Sequence, residues 1–335
     1  MSAESVTTPL VKVRNLRKVY SSGNGSFRQS GNDIVAIDNL SFSIRQGETL
    51  ALVGESGCGK TTTGRALLRL IEPTAGSVRF DGREITALSS GELRSLRKEM
   101  QMIFQDPGGS LNPRLTVRSV LREALHTHRV VEDAQLDERI AHLLETVGLS
   151  PDHAARYPHQ FSAGQRQRIG IARALSVEPR FIVCDEPISA LDVSIQAQIL
   201  NLLRDLQSTY GLTYLFIAHD LNVVKHVSDR VAVMYRGRLM EIGPTDRIYT
   251  SPLHPYTRML LAAVPEPGSD ARHQRRPVPN FSPRKTNTDG CVFEPRCPMA
   301  RQDCKLTPQH LRELRTGHRV ACQYAEEDLT QSAEA

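Results

Sequence analysis

Three groups of residues in this chain have types and spacings suited to chemistry. They are GESGCGKT at 54–61, the adjacent carboxylates Asp185 and Glu186 closing FIVCDE, and the cysteines at 291, 297, 304 and 322. The first matches G-x-x-x-x-G-K-[ST]. Its glycines let backbone N–H groups point inward around phosphate oxygens, Lys60 reaches the terminal phosphates, and the Thr61 hydroxyl is placed to hold Mg²⁺. A helix starting there adds its positive dipole end. The candidate binding set is Gly54, Ser56, Gly57, Gly59, Lys60, Thr61 and Thr62. Acids at the C-terminal end of a buried strand near such a loop are where Mg²⁺ and a base for water are needed, so Asp185 is assigned to the metal and Glu186 to the water. Cys58 and Cys184 read as small fillers.

The elements that must position these groups follow from pattern. LVKVRNLRKVY and IVAIDNLSFSIRQGETLALVG read as strands separated by the polar insertion SSGNGSFRQSGND. KTTTGRALLRLI after the glycine loop is amphipathic, with Ala66, Leu67, Leu70 and Ile71 on one helical face. Residues 116–150 read as helices, with Thr116 as N-cap and Leu121, Leu125, Ile140, Leu143 and Leu144 at helical spacing. The apolar runs FIVCDE and TYLFIAH flank a helical pattern at 194–209, which indicates a parallel sheet covered on both faces. From about 266 a Pro- and Arg-rich stretch reads as an exposed linker, and its Arg272, Arg275 and Arg276 as a solvated charge run.

Composition narrows the classes. With 42 Lys+Arg against 37 Asp+Glu, a net charge of +5 is too small a surplus to argue for a nucleic-acid partner. No apolar stretch is long enough to span a membrane, and the N-terminus lacks a signal-peptide pattern, so a cytoplasmic location is expected. There thiols stay reduced, which favours metal binding over disulfides.

FSAGQRQRIGIARAL at 161–175, shortly before the carboxylate strand, resembles the signature motif of ATP-binding cassette (ABC) proteins, usually Leu-Ser-Gly-Gly-Gln. Phe161 and Ala163 depart from it; Ser162 and Gly164 are retained. Tyr20 resembles the adenine-stacking aromatic, Gln105 in FQDP the Q-loop, SALD at 189–192 the D-loop, and His219 in IAHD the switch histidine. The resemblance implies a P-loop NTPase of the ABC nucleotide-binding class: an α/β fold with a parallel-sheet core, an antiparallel β subdomain and a helical subdomain at about 106–165, within a domain at 10–250. It also implies ATP and Mg²⁺ as cofactors, with Thr61, Gln105 and Asp185 at the metal and Glu186, His219 and Gln105 in catalysis. In that family Ser162, Gly164, Gln165 and Asp192 act on ATP bound by a second ATPase subunit, identical or a sister chain.

SPLHPYTRMLLAAVPEP at 251–267, followed by CVFEPRCPMARQDC, resembles the C-terminal extension of oligopeptide and dipeptide permease ATPases. This implies a small cysteine-rich extension at 251–325 and an ATPase powering peptide import. Two membrane permease subunits and an extracytoplasmic substrate-binding protein would complete the machine, with this chain peripheral on the cytoplasmic face of the inner membrane. Nickel or another small solute is the alternative cargo, and a non-transport ABC ATPase the alternative class. The cysteine spacings C-x5-C, C-x6-C and C-x17-C lack the short pairs of structural zinc sites. Together with the resemblance they point to a [4Fe–4S] cluster on Cys291, Cys297, Cys304 and Cys322, with zinc as the weaker alternative. A segment so poor in apolar residues is expected to need such a staple to fold.

Overall fold

The computed structural model describes residues 8–21, 33–263 and 290–326; Arg272, Arg275, Arg276 and most of the N-terminal insertion lie outside them. Strands β1 (Val11–Tyr20), β2 (Ile34–Ile44), β4 (Ala75–Phe80) and β5 (Arg83–Glu84) form an antiparallel sheet in the order β2-β1-β4-β5. β3 (Thr49–Val53), β6 (Met100–Ile103), β7 (Phe181–Asp185), β8 (Thr213–Ala218), β9 (Arg230–Tyr235), β10 (Arg238–Pro244), β11 (Arg312–Arg315) and β12 (His318–Val320) form a second sheet, β11-β12-β10-β9-β3-β8-β7-β6.

In this second sheet β6, β7, β8, β3 and β9 run parallel. Every residue of β3, β7 and β8 is buried, the continuous apolar pattern of strands covered on both faces. Such strands place their C-terminal ends, Val53, Asp185 and Ala218, side by side, because β3 pairs with β8 and β8 with β7 in register. The chemistry-bearing residues follow immediately after.

Thr116 caps the helix Val117–Thr127 by accepting from the Ser119 N–H at 3.2 Å. Leu121 and Leu125 of that helix and Ile140, Leu143 and Leu144 of Leu136–Thr146 are buried, as their spacing predicts. Each contributes roughly 1.5–3 kcal/mol of transfer free energy. The helix after the glycine loop is shorter than its amphipathic run. It spans Lys60–Leu67, Arg69 turns left-handed at φ 49°, and Leu70 is exposed. Arg69 bonds the carbonyls of Ile85 and Leu88, so a tertiary contact ends the helix that periodicity would continue.

The C-terminal tail does more than the sequence pattern suggests: it returns to the main sheet, where β12 pairs antiparallel with β10, and β11 with β12. Beneath this pairing the fully buried carboxylate of Glu241 meets His318 Nε2 at 2.6 Å. It also accepts from the N–H groups of Leu253 (2.8 Å) and His254 (2.9 Å). Burial opposes the Glu241 charge, but the bonds from His318 and these amides outweigh it and hold the carboxyl below its usual range. The tail therefore docks through backbone pairing and a satisfied buried charge, with Phe293 fully buried as its apolar anchor.

Candidate functional site

The loop between β3 and helix Lys60–Leu67 is shaped by glycine where only glycine fits. Gly54 (φ 151°) and Gly59 (φ 105°) are left-handed, and a Cβ would lie 2.1 Å from the Met234 carbonyl at the first and 2.2 Å from the Ala36 carbonyl at the second. Gly57 (φ 78°) has open space around it, so its requirement is conformational alone. Lys60 is buried, its ammonium donating to the carbonyls of Gly54 (2.8 Å) and Glu55 (3.0 Å). Ser56 lies in the loop and Thr62 in the first turn of the helix.

The Thr61 hydroxyl donates to Asp185 Oδ1 at 2.8 Å. Asp185 is almost fully buried, and burial raises its carboxyl despite the Thr61 bond. A hydroxyl and a carboxylate in contact are oxygen donors of the kind Mg²⁺ takes. Next to them Glu186 holds a left-handed backbone at φ 45°, uncommon for a residue with a Cβ, and its N–H donates to the Ile217 carbonyl at 3.0 Å. That turn aims the carboxylate out of the sheet. Its Oε2 accepts from Gln105 Nε2 at 2.9 Å and lies 3.3 Å from His219 Nδ1. Residues 105, 186 and 219, from three strand ends, thus meet at one carboxylate. Gln105 here contacts Glu186, whereas the resemblance placed it at the metal as well.

Ser162 caps helix Ala163–Leu175 in a reciprocal box with Gln165, at 3.2 and 3.0 Å. Gly164 is buried, and a Cβ there would stand 2.6 Å from Ile195, so packing on helix Val193–Tyr210 also demands this glycine. Ser162 and Asp192 are exposed, as is Val193 at 81 %. Tyr20 ends β1 partly exposed, with Lys18 Nζ 5.0 Å from its ring centre.

All four tail cysteines line one cavity, together with His254, Phe293 and Glu294. Burial pushes the thiols of Cys291 and Cys322 up, and that of Cys297 up to about 11. Among the described residues no three His, Cys, Asp or Glu side chains are arranged to hold a metal ion. The expected ligation is thus not established by the geometry, although the thiols converge.

Sequence reasoning missed three residues at the loop. Glu55 is bound by Arg296 through two 2.8 Å contacts, and its N–H donates to the Tyr256 hydroxyl at 3.1 Å. Tyr256 lies in helix Pro255–Ala262, capped by His254, whose Nδ1 accepts from the Tyr256 N–H at 3.0 Å. Burial holds that imidazole down to about 4, neutral as the acceptor role requires. No local signal ties position 55 to residues 201 and 241 positions away.

Comparison with known proteins bears on the whole arrangement. The model described as ABC transporter matches residues 37–189, and that for the oligopeptide/dipeptide transporter C-terminal region matches 240–304. A putative peptide import ATP-binding protein of Brucella ovis is 53 % identical, over 94 % of this chain and 98 % of its own. The oligopeptide transport ATP-binding protein AppF of Bacillus subtilis is 48 % identical, over 93 % of this chain and 96 % of its own. The dimeric post-hydrolysis structure of the ATP-binding cassette MJ0796 bound to ADP and Pi is similar at TM-score 0.62 and 30 % identity, covering 70 % of this chain and 98 % of that one. With its loop, signature segment and tail placed as described, the chain belongs to the ABC transporter ATP-binding proteins that carry the oligopeptide/dipeptide C-terminal region.

Proposed function

We propose that this chain hydrolyses ATP to drive uptake of di- and oligopeptides through separate membrane permease subunits. The observation that carries the reading is the Glu186 carboxylate, held by Gln105 and facing His219, beside the Thr61–Asp185 pair and the glycine loop. In this reading loop amides and Lys60 hold the phosphates, Tyr20 stacks on adenine, and Thr61 and Asp185 hold Mg²⁺, which when bound neutralises charge on the phosphate oxygens. Glu186 orients water and takes its proton as the water oxygen bonds the γ-phosphorus and the bond to ADP breaks. Gln105 and His219 fix that carboxylate, and Gln105, at the head of the helical subdomain, links it to the permease side.

An ABC ATPase works as a dimer. Exposed Ser162, Gly164 at the helix start, Gln165 and Asp192 are read as the face that completes the partner's site, and Val193 as the apolar contact beside it. Among the described residues no helix is long and apolar enough to cross a membrane; in this reading, as the family of peptide importers implies, the pore is made by the permease partners. We assign residues 10–250 to the ATPase unit and 251–325 to the extension bracing it, and expect an extracytoplasmic binding protein to deliver cargo. The peptide substrate is supported by the names of the Brucella and Bacillus relatives. Vesicles holding the permease subunits, this chain and its sister ATPase should take up peptide only with internal ATP and the external binding protein. Nickel uptake without peptide uptake would overturn the cargo.

For the tail we infer a [4Fe–4S] cluster on Cys291, Cys297, Cys304 and Cys322. The support is the convergence of four thiols on one cavity walled by Phe293 and a neutral His254. When bound, the cluster would be held by these four side chains as thiolates and would brace the tail; burial raises the thiols of Cys291, Cys297 and Cys322, so its binding would release protons from them. Anaerobically purified protein should be coloured and contain iron and acid-labile sulfide in equal amounts. Colourless protein with stoichiometric zinc, or with no metal, would overturn it.

A further inference from the structure

We propose that Arg296 is a positioning residue of the ATP site, holding the glycine loop in its phosphate-binding shape from the C-terminal tail. The proposal rests on the reading of residues 54–61 as the ATP-binding loop and names a residue outside the motifs on which that reading was built.

Position 55 is a junction. Its carbonyl accepts from Lys60, its N–H donates to the Tyr256 hydroxyl, and its carboxylate takes both arms of the Arg296 guanidinium, Nη1 to Oε2 and Nη2 to Oε1, each at 2.8 Å. One of the two loop carbonyls that hold the lysine ammonium, the other being that of Gly54, therefore belongs to a residue anchored twice by the tail. The pair is well shielded, with side-chain exposures of 15 % for Arg296 and 25 % for Glu55. Parallel fork-to-fork bonding fixes direction as well as distance, which a lysine at 296 would not reproduce.

Arg296 is itself held. It ends the 3₁₀ turn Glu294–Arg296, its N–H donating to the Phe293 carbonyl at 3.0 Å. Phe293 is fully buried among Tyr235, Tyr256 and His254, with ring centres 5.3, 5.3 and 5.6 Å away. The guanidinium carbon lies 5.6 Å from the centre of the Tyr235 ring. A contact that only fastened the tail would serve anywhere along β10 or β12; this one falls on the residue between Gly54 and the lysine it orients.

The test is a double-mutant cycle in the full chain, reading affinity for methylanthraniloyl-ATP, steady-state KM and kcat, and nucleotide-free melting. Arg296→Ala should weaken nucleotide binding and raise KM about tenfold, a change of about 1.4 kcal/mol, while kcat changes less than about twofold. Glu55→Gln should have a similar effect, and the double variant should be no worse than either single one, since both remove the same contact. Arg296→Lys, which preserves charge and packing most closely, carries the same test with a rise of about threefold if the alanine variant does not fold. Unchanged affinity in Arg296→Ala or Arg296→Lys, or additive losses in the double variant, would overturn the proposal. Lys60→Ala separates the two failures: should it bind nucleotide like the parent, the loop reading itself is wrong.

Discussion

Glu186→Gln is expected to bind ATP as the parent does and to lose hydrolysis by roughly 10²–10⁴-fold, the usual worth of a positioned general base. The substitution is nearly isosteric, so the left-handed turn at φ 45° and the N–H bond to Ile217 stay as they are. The amide oxygen can still accept from Gln105. What disappears is the negative charge that draws a proton from water, and with it the charge facing His219 Nδ1. Because binding is spared, ATP-loaded dimer should accumulate and be visible by size-exclusion chromatography. Turnover at the parent rate would remove Glu186 from its assigned role.

Lys60→Ala is expected to act one step earlier, weakening ATP binding roughly 10²–10⁴-fold. In the proposed role this buried ammonium would bond two phosphate oxygens, each charged hydrogen bond contributing on the order of 1.5–3 kcal/mol, and each 1.4 kcal/mol is a factor of ten. In this structure the ammonium already faces inward on the Gly54 and Glu55 carbonyls, so the loop presents it preorganised. The measurement is a nucleotide titration on the folded variant, checked by melting. Affinity within about threefold of the parent would mean that backbone amides alone hold the phosphates.

The candidate site was legible to different degrees for one physical reason: how far apart in sequence its determinants lie. The glycine loop, Lys60 and Thr61 are consecutive residues of one strand–loop–helix unit, and their chemistry is dictated by local conformation. The carboxylates could be assigned because a fully apolar strand leads into them. Gly164 was legible as a motif residue, but its burial against Ile195, which gives it a second reason to be glycine, was not.

By itself, then, the sequence determined the parallel core, the helical region at 116–150, the glycine loop and the carboxylates that close a buried strand, and the family. Only the tertiary structure decided how the tail is used. Residues 312–320 carry no strong strand pattern, and they become β11 and β12 because β10 offers an unpaired edge and Glu241 a buried partner for His318. The periodic run after Lys60 stops at Leu67 because Arg69 finds carbonyls elsewhere. Arg296 reaches Glu55 across 241 residues because sheet pairing and the Phe293 anchor bring the tail beside the loop. Such contacts depend on where a folded surface places an edge, a charge or a cavity, and no window of neighbouring residues encodes that.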